Sequence, residues 1–143
     1  MKKLLKEMFI SEIQYRVRYG DTDQMGYVYY GRYAYFYEIA RVEALRGVGI
    51  SYKDMEAQGI MMPVWENHSY FIQPAQFDDL LTIRVMIKEL PAAKIVFYYE
   101  IYNEAGQELH KGESVLVFMN KETRKICRPP KYLLDTLMPY FKN

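Results

Sequence analysis

Asp21 and Asp23 stand two residues apart in the stretch GDTDQMG. Directly after it, residues 27–40 carry six tyrosines, and their only charges are Arg32 and Glu38. A carboxylate can serve as general base or as nucleophile toward a carbonyl carbon. Held just ahead of a helix, it lies close to unpaired helix N–H groups, which bind anions or a developing oxyanion. A base beside an oxyanion site is the minimal apparatus for attack on a carbonyl. Two other readings compete. Either aspartate can form an Asx-turn, hydrogen-bonding its own backbone two residues on. Asp21, Asp23 and Gly26 also match the opening of an EF-hand loop, but Met25 falls where an oxygen ligand is needed and Arg32 where the bidentate glutamate belongs. An apolar side chain and a cation cannot complete a calcium shell.

The elements that must position these residues follow from periodicity. Residues 12–19 alternate, with Ile13, Tyr15, Val17 and Tyr19 on one face and Gln14, Arg16 and Arg18 on the other, the pattern of a half-buried strand. The two glycines and two aspartates of the next segment make a loop. Residues 30–46 lack proline and space Tyr30, Tyr33, Tyr37, Ala40 and Ala44 helically, with Phe36 beside them. So apolar a helix is expected to be buried on more than one side. Ser51 should cap a short second helix ending at Gly59. Four extended segments follow at about 63–73, 79–90, 93–103 and 108–120, expected as a meander, and residues 131–141 return to a helical pattern. The chain reads as one α+β domain over residues 1–143: a five-stranded antiparallel sheet wrapped around a long central helix.

Composition narrows the function. A net charge of +1 and the absence of a basic block give nucleic acid no electrostatic footprint. Cys127 is the single cysteine, so no intramolecular disulfide and no Cys-based zinc site can form. The opening MKKLLKEMFI imitates a signal peptide, but Lys6 and Glu7 interrupt the apolar run and no small-residue cleavage site follows. No stretch has the ~20 apolar residues of a membrane span. A cytoplasmic protein is expected.

The pattern Asp21, Asp23, Gly26, Val28, Tyr30, Tyr33 resembles the start of the hotdog-fold acyl-CoA thioesterases, the 4-hydroxybenzoyl-CoA thioesterase and YbgC-like family. A second stretch, YFIQPAQFDDLLTI, resembles the same family's strand after the helices, with Pro74, Ala75, Phe77, Asp78, Asp79 and Leu81 in register. The resemblance implies an acyl-CoA thioesterase of the hotdog fold. It places the catalytic aspartate, as general base or nucleophile, at Asp23, and the oxyanion-binding backbone N–H at Tyr30. Gly26, Val28 and Tyr33 follow as substrate-binding positions, and Asp21 as a shaper of the turn. No metal or covalent cofactor is implied, because the CoA thiolate leaves readily. A homodimer or homotetramer with the site between subunits is implied as well. Tyr30 stands where YbgC-like members usually carry histidine and the 4-hydroxybenzoyl-CoA type carries tyrosine. The arginine pair that helps bind CoA phosphates in the latter falls near Pro91 and Ala92; Lys88, Lys94 and Arg128 are the available substitutes. Aromatic rings around the helix start favour an aromatic or short-to-medium acyl group. The competing function is a non-catalytic hotdog module that binds an acyl thioester or an acyl-carrier protein without turnover.

Other polar residues read as structural. His68 and His110 each lie on an expected strand with no second ligand nearby, the setting of a hydrogen-bonded histidine. Glu38 is the alternative base on the central helix; pairing of Glu38 or Glu43 with Arg41 or Arg46 is the simpler account. Asp78 and Asp79 fit a turn or cap, and Met61 and Met62 fill gaps near a pocket or interface.

Overall fold

Alternating side chains over Phe9–Arg16 build β1, whose inward residues Ile13 and Tyr15 pack against the core. The structure, a computed structural model, describes residues 8–141, so most of MKKLLKEMFI lies outside the described residues. β1 begins and ends earlier than the alternation over residues 12–19 implies. Val17 is buried just past its end, but Tyr19 has left the strand for a 3-10 turn over Tyr19–Asp21 and is 78% exposed.

A second 3-10 turn, Tyr30–Arg32, runs straight into α1, Tyr33–Arg46. Its buried positions are Tyr33, Phe36, Tyr37, Ala40, Arg41, Ala44 and Leu45, the spacing of one helical face. That face packs on β1 and on β4, Leu80–Ile87. The expectation of burial on more than one side is corrected here to burial of one face, because Ala34, Tyr35, Glu38, Glu43 and Arg46 are exposed on the other side. Arg41, expected as a surface partner for glutamate, is instead buried, with Nη1 3.2 Å from the Tyr99 hydroxyl. Gly49, at φ +88°, turns the chain out of the helix. α2, Tyr52–Ala57, is capped by Ser51 Oγ, which accepts from Asp54 N–H at 3.2 Å, and the chain turns at Gly59 as expected.

Next come β2, Ile60–Met61, and β3, Val64–Phe71. β5, Lys94–Tyr102, and β6, Glu108–Val117, follow β4; β7, Met119–Asn120, pairs with β2, and α3, Lys131–Leu137, closes the fold. The main sheet is antiparallel with five strands in the order β1-β4-β5-β6-β3. Only β4, β5 and β6 form a meander. β3 crosses to the far edge and pairs with β6, Phe71 opposite His110 and Val64 opposite Leu116. The reason lies in side-chain character: every residue of β3 is exposed, whereas β4, β5 and β6 alternate Leu81, Ile83, Val85, then Ile95, Phe97, Tyr99, Ile101, then Leu109 and Leu116 into the core. A strand with so little to bury belongs at an edge.

Candidate active site

The two aspartates, alike in sequence, have different surroundings. Asp21 is fully buried. Its Oδ2 accepts from the Tyr15 hydroxyl and from Arg18 N–H, each at 2.8 Å, and its Oδ1 from Arg32 Nε at 2.6 Å. Burial by itself raises its pKa, but the Arg18 amide, the Arg32 guanidinium and the Tyr15 hydroxyl together hold it below the usual carboxylate value. With its oxygens committed in this way, Asp21 ties β1, the loop and the start of the helix together.

Asp23 is half-buried at the mouth of a cavity. Its Oδ1 accepts from Met25 N–H at 2.9 Å and from Tyr27 N–H at 3.3 Å, an Asx-turn tightened by Gly26 at φ +82°. The turn and the chemical reading are therefore compatible. One oxygen fixes the carboxylate, and among the described residues the other, Oδ2, has no protein donor.

The cavity is about 280 Å³. Asp23, Met25, Tyr27 and Val28 line one side, Tyr30 and Tyr33 the helix side, and residues 71–74 a third. Gly26 shapes the turn and is not among the lining residues. At the helix start Tyr29 N–H donates to Asp21 O and Arg32 N–H to Tyr29 O, both at 2.8 Å. Among the described residues Tyr30 N–H has no acceptor. Asp23, Val28, Tyr30 and Tyr33 thus share one cavity. Glu38 sits on the exposed face of α1 and does not line it.

The third wall was missed at the sequence level. Residues 63–73 read as one strand, but pairing stops at Phe71, and Ile72, Gln73 and Pro74 turn to line the cavity. Proline at 74, which cannot donate to a ladder, was the available signal. Asp79 caps the turn beyond, accepting from Gln76 N–H at 2.9 Å, while Asp78 takes the left-handed φ of 70°. A larger cavity of about 510 Å³ lies elsewhere, between Pro91–Ala93 and Ile126–Pro129, with Arg128 as its one cation. It holds no carboxylate.

Behind the smaller cavity His110 is fully buried, its Nε2 2.5 Å from the Tyr37 hydroxyl, which also meets Ser69 Oγ at 2.7 Å. Burial pushes the His110 pKa down to about 4. The unfolded chain, titrating near the ordinary ~6.5, then binds the extra proton first. Stability is accordingly full above pH ~6.5 and is lost as pH falls toward 4, by about 2 kcal/mol between about pH 7 and pH 5. Urea unfolding at the two pH values checks this, and an unchanged midpoint would mean that His110 titrates as a solvated group. Burial also pushes the Tyr33 and Tyr37 hydroxyls up to about 12, so both are neutral donors at physiological pH.

A family model of the thioesterase-like superfamily matches residues 17–137. The chain belongs to that superfamily. Within it, the acyl-CoA thioester hydrolase YbgC of Escherichia coli O6:H1 is 32% identical over 128 residues, covering 90% of this chain and 92% of its own. The DHNA-CoA thioesterase from Staphylococcus aureus matches in three dimensions with a TM-score of 0.80 at 32% identity, over 90% of this chain and 85% of its own. BH1999, a gentisyl-coenzyme A thioesterase, gives a TM-score of 0.77 at 26% identity, over 84% of this chain and 96% of its own. The hotdog architecture expected from the two motifs is the one these superfamily members share with the chain.

Proposed function

We propose that this protein is an acyl-CoA thioesterase acting on small aromatic or short-to-medium acyl groups. The observation that carries the reading is the cavity shared by Asp23, with one carboxylate oxygen free of protein donors, and Tyr30, whose N–H has no acceptor among the described residues. Asp23 attacks the thioester carbonyl, or activates a water that does, and the helix-start amide takes the negative charge that develops on oxygen. The tetrahedral intermediate collapses with loss of the CoA thiolate; attack by water leaves the free acid directly, whereas attack by Asp23 leaves a mixed anhydride that water then cleaves to the acid and the free carboxylate. Membership of the superfamily supports this, as do relatives named for acyl-CoA, DHNA-CoA and gentisyl-CoA thioesters.

Cavity size and lining support the acyl preference. About 280 Å³ is at the small end for ligand pockets, and Tyr27, Tyr30, Tyr33 and Phe71 contribute rings. A benzoyl group gains from edge and offset contacts, whereas long saturated chains gain only while space remains. The expected ranking places benzoyl- and hexanoyl-CoA above palmitoyl-CoA in kcat/KM by more than about tenfold. Values rising steadily to palmitoyl would overturn the preference. Failure to hydrolyse all three, with tight binding of an acyl-carrier protein, would favour the non-catalytic module. For the CoA phosphates, Arg128 and Lys94 are the supported cations, because each shares a cavity with Ala92.

A second copy of the chain completes the proposal. β3 is an edge strand exposed throughout, with Trp65 at 68% and Phe71 at 56%. Residues 71–74 are both the end of that region and a wall of the cavity, so a copy paired along β3 stands against the site. Sedimentation at low micromolar concentration is expected to show a dimer or tetramer, and a folded, active monomer would remove the shared-site arrangement. Among the described residues no helix is long and apolar enough to cross a membrane; action on CoA esters in the cytoplasm is part of the same proposal.

A further inference from the structure

Two cavity walls that come from different elements meet on one hidden ring. Tyr33, from α1, stacks flat on His110 with centroids 4.0 Å apart and planes 7° from parallel. Phe71, from β3, sets its edge against the same imidazole at 4.9 Å and 76°, and against Tyr33 at 5.4 Å and 83°. Tyr33 and Phe71 both line the cavity; His110 does not. Its Nε2 is held by the Tyr37 hydroxyl, so the plate cannot rotate freely behind the wall. Its Nδ1 is buried without a partner, a cost that a phenylalanine at this position would avoid.

We infer that His110 is a positioning residue that sets the depth of the acyl cavity, by backing the Tyr33 and Phe71 rings against which the acyl end stops. This rests on the cavity being the acyl site proposed above. A close-packed wall does not yield unless the ring behind it is removed. With His110 cut back, Tyr33 can tilt into the vacated space and the cavity lengthens. Each further methylene that finds room tightens binding about fourfold.

The test uses non-hydrolysable thioethers, S-butyl- through S-decyl-CoA, so that it needs no turnover. Calorimetric Kd values are taken for the wild type, His110→Ala and His110→Phe. In the wild type Kd falls with chain length and then levels off. In His110→Ala the levelling is expected at least two methylenes later, making the first thioether beyond the wild-type limit bind about fifteenfold more tightly. His110→Phe, which keeps a flat ring behind the wall, is expected to keep the wild-type limit. A purely structural role would shift every Kd together. The same limit in His110→Ala as in the wild type would overturn the inference, and so would a limit in His110→Phe that moves as it does in His110→Ala. If His110→Ala fails to fold, His110→Val is read by the same criterion. Hydrolysis measured alongside separates the two readings: a wild type that binds the series without cleaving the matching thioesters loses the thioesterase proposal while cavity depth is still decided. A wild type with no length dependence overturns the depth inference even if it is an active hydrolase.

Discussion

Asp23→Asn is expected to retain the fold and lose hydrolysis, with kcat falling ~10²–10⁴-fold, the range for removal of a general base. The substitution is nearly isosteric. The asparagine Oδ1 can still accept from Met25 and Tyr27 N–H, so the turn that aims the side chain into the cavity survives. Only the basicity of the free oxygen is lost. Thermal unfolding should be unchanged while steady-state turnover of benzoyl- or hexanoyl-CoA collapses. Asp21→Asn provides the contrast. It removes the charge facing Arg32 in a fully buried site, so its main expected cost is to stability. A wild-type rate from Asp23→Asn would show that the base lies elsewhere.

Gly112→Ala carries the largest expected effect on stability. A Cβ at this position in β6 would lie 2.2 Å from the Tyr37 hydroxyl oxygen and 2.4 Å from its Cζ. The ring cannot step aside, because it is fully buried and stacked on Tyr99 at 4.2 Å and 6°, with its hydroxyl tied to Ser69 and His110. The strand itself must move, which puts the cost at about 3 kcal/mol, the upper end for overpacking. Against a total stability of ~5–15 kcal/mol that is a large fraction. Urea unfolding should show a lower midpoint with an unchanged slope. Gly20→Ala is the control, since a Cβ there meets nothing within 4 Å, and it should shift stability by less than about 0.5 kcal/mol. Equal behaviour of the two variants would contradict the packing of Tyr37 over β6.

Much of this was legible because local chemistry and final structure agree. Ser51 caps a helix, Gly59 ends it, and the alternation of Ile95, Phe97, Tyr99 and Ile101 makes a strand with one buried face. The aspartate pair could be located but not sorted by composition alone, since both are turn residues of the same type; the assignment of their roles came from resemblance. What separates them physically is distance in sequence: Asp21 meets Arg32, eleven residues on, while Asp23 meets only its own turn. The place of β3 was illegible for a related reason. Alternation reports which face is buried, not which neighbour a strand finds, and the crossover to β6 is a long-range event. Arg41 was misread because a charge on a helix is ordinarily solvated, whereas this one lies under Tyr99.

That crossover orders the birth of the site. As the chain is made from its N-terminus, the Asp23 turn and α1 emerge early, but Phe71 must wait for His110 and Val64 for Leu116 before β3 has a partner. At ordinary synthesis rates the delay is roughly 2 to 10 s. Until then the cavity lacks its third wall, and an unpaired, aromatic segment lies exposed to whatever is nearby. Hydrolytic activity is therefore a report that translation has run past β6 and that the sheet has closed, and a nascent chain halted before residue 110 carries the Asp23 carboxylate without the pocket.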